Sequence, residues 1–234
     1  EKAIAVTMRT PGHDFELALG FLFTEGIIES YDDVFGIKYC NQVKTSEEIG
    51  NVVKVALHPT TTFDEKKINR NFYTTSSCGV CGKGSIASLE IQCGTVDSDF
   101  TISAEVLVEA PEVMRKKQDV FEHTGGLHAA AMFNQNGELE LLREDIGRHN
   151  ALDKLIGAVL SKGHLPLSNK FIMVSGRLGF ELVQKSIMAG LPILGAVGAP
   201  SSLAVALAKE YGITVAGFVK KGNYNIYSAE HRIL

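Results

Sequence analysis

The stretch KFIMVSGRLGFELVQKSIMAGLPILGAVGAPSSLAVALAKEYGITVAGFVKKGN, residues 170–223, decides the fold. Three short apolar runs stand in it, Phe171 to Val174, Pro192 to Val197 and Ile213 to Val219, each followed by a turn of small residues or lysines. The first two turns open into helices, one reaching Ala189 and the other ending at Tyr211-Gly212. Strands this apolar have no water-facing side, so the succession of strand, helix, strand, helix, strand predicts a parallel sheet covered by helices. Right-handed crossovers then put all three strand ends on one edge.

That edge carries Ser175-Gly176-Arg177-Leu178-Gly179, Gly198-Ala199-Pro200-Ser201-Ser202 and Lys220-Lys221-Gly222-Asn223. Ligands of open parallel sheets sit beyond the carboxyl ends of the strands. Glycines admit a ligand to the backbone, helix N-termini aim N–H groups at it, and Arg177, Lys220 and Lys221 add positive charge, so the edge predicts a phosphate or pyrophosphate. Gly195-x-x-Gly198 matches neither a dinucleotide fingerprint nor a Walker loop. Each glycine turn taken singly is an ordinary βα connection; the weight comes from three on one edge.

Upstream, Ala3 to Met8 reads as a strand. Thr10-Pro11-Gly12-His13-Asp14 reads as a turn and cap into a helix through Phe15, Leu19 and Leu22 or Phe23, stopped by Gly26. Val34 to Tyr39 and Val52 to His58 are strands around the polar loop Asn41 to Gly50, a meander. Pro111 predicts the first turn of a helix through Asp119, with Met114 in the core. Thr124 to Phe133 is a glycine turn opening into a strand, and Asn134-Gln135-Asn136-Gly137 turns a hairpin into Glu138 to Leu142. A helix follows from Gly147 to Ser161, with Leu152, Leu155, Ile156 and Val159 as its apolar stripe. Ser85 to Gln92 reads equally as strand or helix. No repeat or linker divides the chain. The expected organisation is one interwoven unit, residues 1–110 being an N-terminal α/β part and residues 111–234 an α/β core with the ligand edge.

Glu144-Asp145-Ile146-Gly147-Arg148-His149-Asn150 gathers acid, base and imidazole at a strand-to-helix junction. Asp145 can cap the helix while Arg148 and His149 face the cleft; the plainer reading is a capped helix with a surface ion pair. His128 is either a core histidine or a cleft residue.

The most reactive stretch is Thr74-Thr75-Ser76-Ser77-Cys78-Gly79-Val80-Cys81-Gly82-Lys83-Gly84-Ser85. So much Gly, Ser and Thr disfavours helix and strand and predicts an exposed loop, where Lys83 and nearby backbone N–H groups favour the thiolate. Three readings compete. A structural disulfide is disfavoured because Cys40 and Cys93 stand alone and no secretory signal is visible. Zinc needs four ligands, and only one Cys-x-x-Cys knuckle is present. A catalytic or sulfur-carrying thiol leads.

With 234 residues, 45% hydrophobic and 21% charged, the chain can bury a real core, and a net charge of -4 without any basic run argues against nucleic-acid binding. The longest apolar stretch, Leu191 to Ala199, is broken by Pro192, Gly195 and Gly198, which excludes a membrane helix there. The cytoplasm is the default compartment, and an N-terminal piece is expected to precede Glu1, since the chain starts without Met.

Taken together, these stretches make the chain resemble the formate dehydrogenase accessory sulfurtransferase family, FdhD. The residues that carry the resemblance are Arg9-Thr10-Pro11-Gly12-His13-Asp14, Thr24-Glu25-Gly26-Ile27-Ile28, Ser77-Cys78-Gly79-Val80-Cys81-Gly82-Lys83 and Thr124-Gly125-Gly126-Leu127-His128-Ala129-Ala130. Arg143 to Lys154, Val174-Ser175-Gly176-Arg177 and Gly217-Phe218 complete them. The resemblance implies a cytoplasmic sulfurtransferase that takes sulfane sulfur from a cysteine desulfurase as a persulfide on Cys78. Cys81 would assist or resolve. The sulfur passes to the molybdenum bis(molybdopterin guanine dinucleotide) cofactor, which formate dehydrogenase needs to be active. It further implies that Phe218, Val219, Lys220, Lys221, Gly222 and Asn223 bind that cofactor, with no resident metal. A cytidine-deaminase-like three-layer α/β core preceded by the meander, and a homodimer, are implied as well. Two rivals remain. A zinc deaminase would need a glutamate where Ala130 stands, and a chaperone would bind the cofactor without sulfur chemistry.

Overall fold

The computed structural model describes residues 2–42, 45–61 and 94–234. Its helices are α1 (Asp14–Thr24), α2 (Ala104–Arg115), α3 (Asp119–Thr124), α4 (Arg148–Leu160), α5 (Phe180–Met188) and α6 (Ser202–Tyr211). The strands β1 (Val34–Tyr39) and β2 (Val53–Leu57) form an antiparallel ribbon. The strands β3 (His128–Phe133), β4 (Leu139–Asp145), β5 (Phe171–Val174), β6 (Ile193–Ala196), β7 (Thr214–Lys220) and β8 (Asn223–Ser228) build a six-stranded sheet in the order β4-β3-β5-β6-β7-β8.

As the apolar runs predict, β5, β6 and β7 are parallel neighbours, and β5 and β6 are buried at every position. The sheet as a whole is mixed. The hairpin β3-β4 joins β5 antiparallel on one flank, and β8 pairs antiparallel with β7 on the other. Strand β8 is short and alternately exposed, Asn223-Tyr224-Asn225-Ile226-Tyr227-Ser228, the pattern of an edge.

Alternation along β5 shows how one strand serves two cores. Ile172 and Val174 meet Leu152, Leu155 and Val183 on the face covered by α1, α4, α5 and α6. Phe171 and Met173 meet Leu107, Ala110 and Met114 of α2 on the opposite face. Helices thus cover both faces of the sheet. Among the described residues, no helix is long and apolar enough to cross a membrane.

Helix α4 is buried from Asn150 to Leu160 because it lies between the sheet and α1. The two helices cross at glycines. A Cβ on Gly157 would come within 1.9 Å of the Glu16 carbonyl oxygen, and one on Gly20 within 1.9 Å of that of Asp153, so the backbones touch. Nearby, Lys185 of α5 donates to Thr24 Oγ1 at 2.8 Å and lies 3.0 Å from the Asp153 carboxylate, all of them buried. This polar network ties α1, α4 and α5 together where their apolar surfaces meet.

Two sequence expectations need correction. Residues 3–8 form no strand; the end of the segment is tied to Asn150, whose amide donates to the Met8 carbonyl at 2.8 Å and whose Oδ1 accepts from the Thr7 hydroxyl at 3.3 Å. Pro111 lies inside α2 instead of opening a helix. Ser103 caps α2 earlier, accepting from Val106 N–H, and burial of Leu107, Ala110 and Met114 outweighs the lost backbone bond. The helix ends at Arg115, and the short α3 begins at Asp119.

The glycine crossing makes a stability prediction. Gly157→Ala forces α1 and α4 apart and lowers unfolding free energy by about 3 kcal/mol or more. Gly36→Ala, where an added Cβ meets nothing within 4 Å, changes it by less than about 0.5 kcal/mol. Urea midpoints of the two variants measure this; equal midpoints refute the close crossing.

Candidate functional site

The carboxyl ends of β5, β6 and β7 are linked edgewise by backbone hydrogen bonds. Gly198 N–H donates to the Gly176 carbonyl and Phe218 N–H to the Gly198 carbonyl, each at 3.1 Å. Gly198 admits no larger residue, since a Cβ there would lie 2.9 Å from Arg177 N and from Gly176 O. Strand β3 runs antiparallel to β5, so its first residue, His128, arrives at the same edge. Ser175 fixes that register twice, donating its N–H to Ala129 O at 3.0 Å and accepting Ala129 N–H on its hydroxyl at 2.9 Å.

The junction from β4 to α4 supplies the next side chains. Asp145 is fully buried and accepts from Thr10 N–H (3.0 Å), Gly147 N–H (2.9 Å), the Asn150 amide (3.0 Å) and Lys154 Nζ (2.7 Å). Glu144 accepts the Val120 and Phe121 N–H groups at the start of α3, at 3.0 and 2.9 Å. Both carboxylates are thus committed to structure. Arg148 and His149, in the first turn of α4, are carried to the edge instead.

There they meet residues of the β5-α5 turn. A Cβ on Gly176 would touch His128 Nδ1 at 3.0 Å and lie 3.8 Å from Arg148 Cδ, so both side chains lie against bare backbone. His149 Nε2 stands 3.8 Å from Glu181 Oε2, beyond hydrogen-bond reach, and both atoms are buried without a hydrogen-bond partner. Burial, then the charges of Arg148, Lys185 and His128, push the His149 pKa from 6.5 down to about 3, so its imidazole is neutral at pH 7. His128 is also held below its ordinary value by burial and by Arg148. The Arg148 pKa is lowered by burial and by Arg177, with Glu181 opposing.

Phe218 has a φ of 54°, the left-handed region, which costs a bulky residue about 1–2 kcal/mol, and its side chain is 47% exposed. Lys220 and Asn223 pair across a hairpin tip in which Gly222 takes a φ of 74°. Lys220, Lys221, Gly222 and Asn223 are exposed, but the Val219 side chain is buried under α2, leaving only its backbone toward the edge. Lys221 reaches the electrostatic neighbourhood of Glu112 on α2. The structure therefore brings His128, Arg148, His149, Arg177 and Glu181 into one corner, with the hairpin beside it. Glu181 was missed from sequence because an acid in a first helical turn reads as an ordinary dipole partner.

Cys78 and Cys81 lie outside the described residues, as do Cys93 and the run Ser85 to Gln92. Among the described residues, Cys40 is a buried free thiol. An open groove of about 490 Å³ lies along β4, between residues 10–13 and α3. Several of its charged members are already engaged: Arg143 with Glu16, Lys154 with Asp145, and Glu144 with α3.

Fold and edge together define the class, an α/β protein whose mixed sheet presents a cationic, glycine-lined edge at the ends of its parallel strands. The chain belongs to the FdhD/NarQ family, whose model matches residues 1–234. It is 48% identical to the sulfur carrier protein FdhD of Streptomyces avermitilis over 99% of this chain and 84% of that protein. It is 49% identical to the protein of that name from Mycolicibacterium paratuberculosis, over 99% of this chain and 86% of the other. The archaeal namesake from Sulfolobus acidocaldarius is 43% identical, over 100% and 86% respectively. The crystal structure of a candidate formate dehydrogenase accessory protein from Desulfotalea psychrophila has the same fold. It superposes with a TM-score of 0.75 at 24% identity, covering 100% of this chain and 85% of that one.

The buried imidazole has a pH consequence. The folded pKa of His149 lies below the unfolded one, so this contribution is complete above pH 6.5 and is lost as pH falls from 6.5 toward about 3. Urea unfolding at stepped pH is expected to show about 2.5 kcal/mol lost through this group by pH 4.5, and His149→Gln to remove that part of the slope. The same slope in both proteins means another group carries it.

Proposed function

We propose that the chain carries sulfur in the maturation of formate dehydrogenase, accepting it from a cysteine desulfurase and passing it to the molybdenum bis(molybdopterin guanine dinucleotide) cofactor, which is its substrate. The observation that carries this reading is the family match along the whole chain, with relatives named sulfur carrier protein FdhD at 48 and 49% identity. The Cys78 thiolate attacks the outer sulfur of the donor's persulfide; the donor's S–S bond breaks, its thiolate leaves, and a persulfide forms on Cys78. Lys83 favours the thiolate that this step needs, and Cys81 assists or resolves.

The acceptor carries phosphates, and the sheet edge supplies what holds them: the exposed hairpin of Phe218, Lys220, Lys221, Gly222 and Asn223, with Val219 through its backbone. Strain held at an exposed Phe218 is the kind retained where a ligand docks. Helices on both faces of the sheet support a cytidine-deaminase-like arrangement for the core. A zinc deaminase fits poorly: the position for its glutamate is Ala130, fully buried in β3. A cytoplasmic homodimer, acting on the catalytic subunit of formate dehydrogenase, completes the proposal. No nucleic acid or membrane enters it.

Incubation with a cysteine desulfurase and cysteine, followed by intact-protein mass spectrometry, is expected to show one added sulfur atom that is absent in Cys78→Ala. A Cys78→Ala variant that loses the adduct yet supports full formate dehydrogenase activity leaves only a cofactor-binding chaperone, and one that keeps the adduct moves the sulfur to another thiol. For the edge, Lys220→Ala with Lys221→Ala is expected to weaken GDP binding about tenfold, since charge-assisted bonds contribute about 1.5–3 kcal/mol. Unchanged affinity moves the acceptor site elsewhere.

A further inference from the structure

Sulfur transfer makes no use of the free flank of the sheet. Strand β4 is the outermost strand on that flank, and the groove of about 490 Å³ runs along its edge. One wall is the turn Pro11-Gly12-His13 that enters α1; the other is the join of α2 to α3, with Lys117, Asp119 and Val120. Strand alternation decides what forms the floor. Ser175 takes both the N–H and the carbonyl of Ala129, so β3 turns that residue toward β5. Glu144, opposite Ala129 on β4, is left to face outward with its backbone, as is Leu142 two residues before it.

The outward groups are unequally committed. Arg143 Nη1 donates to the Leu142 carbonyl at 2.8 Å and Lys154 Nζ to the Glu144 carbonyl at 3.4 Å. Among the described residues, no backbone acceptor outside the sheet takes the Leu142 or Glu144 N–H. The edge thus offers donors two residues apart, about 7 Å, the interval at which an extended chain turns its carbonyls to one side. Acids of the groove are spent elsewhere: Glu144 on the first N–H groups of α3, Glu140 on Lys170 at 2.7 Å, and Asp119 at the positive end of α3. The Lys117 side chain is exposed in the wall, and Arg115, also exposed, lies over the Phe121 ring at 4.2 Å, which puts a second cation beside the start of α3.

We infer that the β4 edge is a docking site for a partner protein, which lays an extended, acidic segment along it as a further strand of the sheet. Main-chain carbonyls of that segment accept from Leu142 and Glu144, and its carboxylates meet the Lys117 and Arg115 charges on the wall. Backbone pairing supplies the affinity and the cations select the sign of the side chains. The surface needs neither thiol nor cofactor. It lies on the flank of the sheet away from the β7-β8 hairpin, so a partner held there leaves that hairpin open.

Fluorescence anisotropy of the full chain with two labelled peptides tests the inference, one a short capped peptide of alternating glutamate and valine, the other its lysine counterpart. The acidic peptide is expected to bind about tenfold more tightly than the lysine one and to slow hydrogen exchange at the Leu142 and Glu144 amides. Leu142→Pro removes an outward donor without taking a bond from the β3 ladder, and is expected to weaken binding about tenfold. Lys117→Glu, a change at an exposed side chain that leaves the fold intact, is expected to lower affinity for the acidic peptide and raise it for the lysine one. No binding of the acidic peptide up to about 1 mM, equal affinity for the two peptides, or both variants binding within about twofold of wild type overturns the inference. Sedimentation of the chain alone completes the test: self-association that Leu142→Pro abolishes gives the edge to a second copy and overturns the partner.

Discussion

One buried carboxylate sets the shape of the ligand edge. Asp145 gathers four donors from three parts of the chain: Thr10 N–H from the N-terminal segment, Gly147 N–H and the Asn150 amide from the junction, and Lys154 Nζ from one turn further along α4. A carboxylate so far from water persists only with its acceptor capacity filled and a cation beside it. Because all four donors are needed, the turn between β4 and α4 has one geometry, and that geometry carries Arg148 and His149 to the edge. The Lys154 ammonium also donates to the Thr10 carbonyl at 2.8 Å, so the same pair ties down the N-terminal segment.

The N-terminal helix is integral to the core for a related reason. Glycines at the crossing of α1 and α4 let backbone touch backbone, and contact at that range excludes water from the interface. Polar groups trapped there are joined, Thr24 donating to Asp153 at 2.9 Å and Lys185 reaching both. Removing any one strands the others in a dry site, which couples α1, α4 and α5 into a unit. The cleft corner is built on the first turns of two of those helices, so its rigidity derives from this packing.

Electrostatics at the edge follow from what the fold leaves exposed. Parallel strands deliver their carboxyl ends and the following helix N-termini to the same side, which makes that side electropositive before any side chain is added. Burial first, and then the charges of Arg148, Lys185 and His128, keep the His149 imidazole neutral.

Much of the architecture was legible in the residues because it rests on local periodicity. Three apolar runs separated by helical spacing required a buried parallel sheet, and Asn136-Gly137 required the β3-β4 hairpin. Cys-x-x-Cys in a stretch of glycines pointed to sulfur chemistry at Cys78 and Cys81, which lie outside the described residues. What periodicity does not encode is which distant segments pair. The antiparallel flanks of the sheet, the tie of Thr7 and Met8 to Asn150, and the passage of α2 through Pro111 were decided by tertiary packing, which outweighs a local preference of a few kcal/mol. The site divides the same way. Arg148, His149, Arg177 and His128 were visible as chemically capable residues, but the meeting of His128 and Arg148 over Gly176, the committed role of Asp145, and the arrival of Glu181 beside His149 depend on strand register and helix entry, contacts between residues far apart in the sequence that no local pattern carries.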